Sequence, residues 1–235
     1  MPFLLVDKPV GWTSFDVVGF IRKEERKNIS AQGGQASGLK VGHAGTLDPF
    51  ATGLLIVAVG RESTKRLDEF KKLPKTYIAT VRLGATSDTD DCTGQISNVK
   101  FPMSNQAQNP NDKIPDQAQI KKTLQTFIGE QEQVPPRYSA KKINGQKMYS
   151  MARAGKDFVR EPSVIHIYDI ELLDYTWPDL KIKIDCGCGT YIRSLARDLG
   201  EALGVGGYCA ELRRTRIGDN KIEDAIAISD LKIGR

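Results

Sequence analysis

Apolar positions along the chain fall into two rhythms, one repeating every second residue and one every three or four, and the two are interleaved from end to end. "FLLVDKP" reads as a short strand stopped by Pro9. Behind it Thr13 and Asp16 form a capping box for a helix whose apolar face is Val17, Val18 and Ile21. "NISAQGGQASGLK" has no period and is rich in glycine, which predicts a loop. "LLIVAV" at 54–59 predicts a strand buried on both faces, and "STKRLDEF" one short capped helix. "KTYIATVRLG" alternates, placing Tyr77, Ala79 and Val81 on one face of a strand.

The stretch from Thr86 to Pro115 is polar and predicts a loop with one short strand. Ile120, Leu124, Phe127 and Ile128 then give an amphipathic helix closed by Gly129. "SVIHIYDIELLDY" and "LKIKIDCGC" predict two long strands around a Trp-Pro-Asp turn. "TYIRSLARDLGEALG" predicts a helix with Ile192, Leu195, Ala196, Leu199 and Leu203 inward, and "GYCAELRRTRIG" a last strand before a short terminal helix or turn. With no internal repeat and no linker, residues 1–235 read as a single α+β domain around a mixed, mainly antiparallel sheet with flanking helices.

Composition narrows the class. The formal charge of +5 over 235 residues leans basic without being a histone-like tail, so the distribution of charge matters more than its total. No run approaches the roughly 18 apolar residues of a membrane span, and the N-terminus lacks the layout of a secretory signal, so a cytoplasmic protein without a membrane partner is the default expectation. Cys92, Cys186, Cys188 and Cys209 form no CxxC pair and read as buried thiols. His43 and His166 stand in unrelated contexts, so no metal site is expected. The glycine-rich loop lacks the spacing and the Lys-Ser/Thr of a phosphate-binding P-loop.

Charge concentrates between Arg137 and Arg160, within an arm at about 135–160, where seven basic side chains meet the single acid Asp157. Tyr138, Met148, Tyr149 and Met151 are interleaved with them, a mixture that offers phosphate partners and stacking surface to exposed bases. Lys141, Lys142, Lys147 and Arg153 are the expected contacts to an RNA backbone. Arg213, Arg214 and Arg216 read as an extension of the same basic surface.

The stretch that carries chemistry is "HAGTLDPFATGLL" at 43–55. Pro49 drives Asp48 into an extended conformation, and Gly45 and Gly53 permit sharp turns on either side, so the carboxylate is expected on a stiff projection beside a buried strand. An isolated Leu-Asp-Pro most often caps a turn, and a glycosidase would require a second carboxylate.

Taken with its surroundings, "VGHAGTLDPFATGLLIVAVG" resembles the catalytic motif of the pseudouridine synthases, in particular the bacterial tRNA uridine-55 (TruB-type) branch. "LLVDKPVGWTSFDVV", "KTYIATVRLGATSDTDDCTGQI", "PPRYSAKKINGQKMYSMARAG", "CGTYIRSLARDLG" and "LRRTRIG" continue the resemblance in order over nearly the whole chain. It implies isomerisation of uridine 55 in the T loop of tRNA, without cofactor or metal, by nucleophilic attack of Asp48 on a flipped-out uridine. The implied partner is the tRNA T arm and the implied state a monomer.

By the same resemblance Arg193 pairs with the catalytic aspartate, Tyr77 stacks on the target base with a late role at its C5, and Tyr191 and Leu212 line the substrate pocket. His43 is implied to pack where bases leave the T loop, and Asp90 to serve structure or positioning. Family members usually continue into a small C-terminal RNA-binding (PUA-like) domain, which is not expected here. "AQGGQASG" is longer than the family's usual loop, and "CGCG" stands where a lysine is common. The alternative reading is a tRNA-folding chaperone in which catalysis is incidental.

Overall fold

The computed structural model describes residues 3–34, 37–98, 114–139, 141–143 and 145–231. In chain order its first elements are β1 (Phe3–Lys8), α1 (Ser14–Ala31), β2 (Val41–Ala44), β3 (Thr52–Val59), α2 (Arg61–Lys65), α3 (Leu67–Lys71) and β4 (Lys75–Leu83). There follow β5 (Ala85–Ser87), β6 (Ile96–Asn98), α4 (Gln117–Thr126), β7 (Gly129–Gln133), β8 (Lys142–Ile143), β9 (Gln146–Lys147) and α5 (Met148–Arg153). The last are β10 (Ser163–Thr176), β11 (Asp179–Cys186), α6 (Ile192–Ala202), β12 (Gly207–Ile217), β13 (Asn220–Lys221) and β14 (Ile226–Ala227).

Two compact units result, one of Met1–Tyr77 with Leu212–Arg235 and the other of Ile78–Glu211. In the first, β1 runs antiparallel to β3 from Phe3 opposite Ala58 to Lys8 opposite Gly53, and β14 lies parallel to β1. The C-terminal half of β12 is parallel to β3 through Arg213–Thr52 and Arg214–Gly53. In the second, β11 pairs antiparallel with β10, and β10 with β7. The sheet is therefore mixed and mainly antiparallel, with helices beside it, as the pattern predicts.

β3 is buried on both faces because two cores need it. Leu55 and Val57 pack with Val6, Val41 and the α1 face Val17, Val18 and Ile21. Leu54, Ile56 and Ala58 pack with Ala44, Leu67 and Ile217 on the other side. The capping box of α1 is present in both directions, from Thr13 to the Asp16 backbone and from the Asp16 carboxylate to the Thr13 backbone.

Several expected boundaries are corrected. α1 continues to Ala31 through the first four residues of the predicted loop, since no breaker precedes Gly33, which takes the left-handed φ of 76°. "STKRLDEF" is divided between two five-residue helices without side-chain caps, because the Arg66 N–H turns back to the Ser63 carbonyl and closes α2. Phe127 and Ile128 lie beyond α4, which ends at Thr126. The polar stretch carries two short strands, β5 and β6, and its residues 99–113 lie outside the described residues. Only Cys186 and Cys209 are buried thiols, whereas Cys92 and Cys188 are exposed. Among the described residues no helix is long and apolar enough to cross a membrane.

Candidate active site

Asp48 sits in the turn between β2 and β3, and buried groups of the first unit hold that turn from several sides. The Gly11 N–H donates to the Pro49 carbonyl at 2.8 Å, and the Ala51 N–H closes back on the Asp48 carbonyl at 3.1 Å. Ser14, 1% exposed, accepts from the Leu47 N–H at 2.9 Å and donates to the Leu47 carbonyl at 3.3 Å. Both peptide neighbours of Asp48 are thereby tied, Pro49 to the segment joining β1 to α1 and Leu47 to the first residue of α1.

Two buried cations reinforce the turn, and sequence reasoning missed both. Lys8, fully buried at the end of β1, donates from Nζ to the carbonyls of Trp12 at 2.7 Å, Pro9 at 2.9 Å and Pro49 at 3.5 Å. An ammonium has three N–H donors, and three carbonyls receive them. Burial lowers the Lys8 pKa to about 8, with the Asp48 charge pulling the other way and Arg214 adding to the fall. Arg214, 1% exposed, donates from Nε to the Leu54 carbonyl at 2.8 Å and from Nη2 to the Gly45 carbonyl at 3.1 Å.

Gly53 has φ of 103°, and a Cβ there would fall on the backbone of Arg214, so only glycine permits the parallel β3–β12 pairing. Arg214 does not extend a basic surface, as the sequence suggests. Its neighbour Arg213 is bound to Asp7, at 2.7 Å for the shorter contact, and Arg216 donates to the Thr76 hydroxyl at 2.9 Å.

The other expected residues of this unit occupy distinct settings. His43, on β2, meets the Phe15 ring edge-on with centroids 5.4 Å apart, and its pKa is lowered chiefly by burial, so the ring is neutral near pH 7. Tyr77 and Leu212 are both buried, at 8% and 7% exposure, on β4 and β12.

Arg193 and Tyr191 belong to the second unit. Arg193 sits in the first turn of α6, where a cation opposes the helix dipole, and strong acceptors offset that cost. Its Nη1 reaches the Asp91 carboxylate at 3.0 Å and the Thr89 carbonyl at 3.1 Å, while Nη2 reaches the Tyr138 carbonyl at 2.8 Å. Asp91 is fixed in turn by the Thr89 hydroxyl at 2.8 Å and the Thr93 N–H at 2.9 Å.

Asp90, not Asp91, is the acid singled out by sequence. It takes φ of 61°, a conformation that Asp tolerates better than most residues, and accepts from Arg197 at 2.9 Å. Burial raises its pKa against the pull of Arg197. The Tyr191 backbone exchanges two hydrogen bonds with the buried Gln133 amide, at 2.8 and 3.1 Å, which fixes the entry to α6.

The basic arm is less uniform than its composition. Met148 is fully buried, taking a contact from the Ser139 hydroxyl at 3.4 Å, so it offers nothing to a base. Lys141 already donates to the Ser163 hydroxyl at 2.5 Å. Arg153 is exposed and lies over the Tyr149 ring, 4.5 Å from its centroid, a cation–π pair on the surface. The side chains of Lys142 and Lys147 lie outside what the structure describes.

Residues 29–192 match the model of the TruB family pseudouridylate synthase N-terminal domain, and residues 193–233 that of the tRNA pseudouridylate synthase B C-terminal domain. The chain is 44% identical over 223 residues to a tRNA pseudouridine synthase B of Bacteroides fragilis, covering 95% of this chain and 89% of that protein. It is 42% identical over 225 residues to that of Phocaeicola vulgatus, covering 96% and 89%.

Among solved structures, a chain of a Cbf5-Nop10-Gar1 complex superposes with a TM-score of 0.70 at 29% identity, over 98% of this chain and 53% of that one. A chain of an H/ACA RNP bound to a substrate RNA containing 2'-deoxyuridine gives 0.67 at 27%, over 98% and 52%. This chain thus spans about half the length of those solved chains. By family model and by relatives, the chain belongs to the TruB family of pseudouridylate synthases and is an isomerase by class.

Proposed function

We propose that this protein converts uridine 55 in the T loop of tRNA to pseudouridine, with Asp48 as the nucleophile. The observation that carries the reading is the Asp48 turn itself, a carboxylate set between two peptides that buried groups hold in place, in a chain of this family. The reaction breaks the bond from N1 of uracil to C1′ of ribose and makes one from C5 to the same carbon. Atoms and electrons balance within the nucleotide, so no co-reactant enters. An intermediate formed on Asp48 divides one difficult step into two.

Arg193, Tyr77, Tyr191 and Leu212 are assigned to the same reaction, Tyr77 against the target base and Arg193 as its cation. His43 is assigned to the RNA loop, where its neutral ring stacks without the desolvation cost of a charge. Lys142, Lys147 and Arg153 are assigned to phosphates of the T arm, and Lys141 to a smaller share because its amine is already engaged. The relatives' name, tRNA pseudouridine synthase B, supports tRNA as the substrate.

The test is to incubate the purified protein with unmodified tRNA and map pseudouridine by carbodiimide adducts and mass spectrometry. One new pseudouridine at position 55 is expected. Its absence, or its appearance only elsewhere, overturns the reading.

A further inference from the structure

Phe15 is 68% exposed, the most exposed aromatic ring among the described residues, and Val10 is 66% exposed. Each is the chain neighbour of a residue that clamps the catalytic turn. Val10 precedes Gly11, whose N–H holds Pro49, and Phe15 follows Ser14, whose hydroxyl holds Leu47. The segment that carries these apolar groups is therefore bonded to both residues flanking Asp48, through the Gly11 N–H and the Ser14 hydroxyl. α1 does not need Phe15 for its core, since Val17, Val18 and Ile21 supply that face. The ring rests instead edge-on against His43, interplanar angle 89°, which fixes its orientation without burying it.

We propose that Phe15 is a positioning residue for the RNA, a platform on which an unstacked base of the substrate loop rests beside the His43 ring. The inference rests on the proposed function and adds to it a residue to which the resemblance assigns no role. Opening a loop costs stacking, and an aromatic face restores it for any base, since phenylalanine has no hydrogen-bonding group with which to choose. Phe15 accordingly supports affinity and loop geometry without reading sequence, and contributes nothing to the salt dependence.

The experiment uses a T-arm hairpin carrying 2-aminopurine in the loop outside the target uridine, with Phe15→Ala, Phe15→Leu and Phe15→Trp variants in the full chain. Loss of one base–aromatic stack weakens binding by about tenfold in the alanine variant. Leucine, apolar but without a flat face, is expected to fall with alanine, and tryptophan to restore wild-type binding. Stacking quenches 2-aminopurine, and the quench should disappear with alanine and leucine. The slope of log affinity against log salt should match wild type in all three.

Because Phe15 is exposed, the thermal midpoint is expected to hold. Wild-type affinity and quenching in Phe15→Ala, or wild-type affinity in Phe15→Leu, overturns the inference, the second because the ring would then only cover His43. Failure of the functional reading would appear separately, as wild-type protein that forms no pseudouridine in the same hairpin.

Discussion

Two groups of cations in this molecule do opposite things. Lys8 and Arg214, buried in the first unit, spend their N–H groups on backbone carbonyls around the Asp48 turn. Among the described residues of the arm, in the second unit, two cations are held loosely. Arg153 covers a tyrosine face, and Arg137 meets the fully exposed Asp157 only at 3.4 Å. A buried cation is costly unless every donor is used, so it fixes a backbone conformation. An exposed one forms weak pairs that a phosphate readily replaces. Under the proposed function the turn serves geometry and the arm affinity, and variants should separate the two.

The largest effect is expected in the turn. Lys8→Met removes three donors from carbonyls that bracket residues 9–49, and a displacement of the reacting group by 1 Å costs about 100-fold in rate. Single-turnover pseudouridine formation should fall by about that factor while tRNA affinity changes little. Equal losses in both would merge turn and arm into one function.

Next in size is the arm. Lys142, Lys147 and Arg153 replaced together by Ala should flatten the slope of log affinity against log salt by about 2 to 3 units, with saturated turnover nearly retained. An unchanged slope would place the RNA on another surface.

A smaller effect follows from pH. Lys8 has its pKa depressed to about 8 in the folded protein against 10.5 when unfolded, so between those values the unfolded chain binds more protons and stability rises with pH. Over the same window the cation beside Asp48 and one of its donors are lost. Turnover should fall by about fivefold from pH 7 to pH 9 while the Lys8 contribution to the thermal midpoint moves upward, and Lys8→Met should abolish both trends. The smallest change is expected for Lys141→Ala alone, below about one unit of salt slope, because its amine already serves Ser163.

Much of the fold is legible because it depends on local periodicity. The two-faced strand at 54–59 and the Thr13–Asp16 capping box need no tertiary knowledge to be read. Asp48 was legible for a related reason, since Pro49 and the flanking glycines constrain the backbone wherever the chain folds. The clamps were not. In "LRRTRIG" three cations in four positions read as surface, and only the burial of Leu212 and Arg214 on one face of β12 reveals that Arg214 points inward. Lys8 carried a faint signal, a lone lysine between an apolar strand and a proline. For the adjacent acids Asp90 and Asp91 sequence offers no choice, because the left-handed backbone at Asp90 decides which carboxylate meets Arg193 and which meets Arg197.

The central claim is that Asp48 supplies the nucleophile on a turn that others only hold. The direct measurement is single-turnover pseudouridine formation by Asp48→Asn on saturating tRNA, with binding measured on the same preparation. An amide keeps the shape of the turn but cannot form the intermediate, so the account predicts no detectable product with tRNA affinity within several-fold of wild type. Product formed at a substantial fraction of the wild-type rate would contradict it.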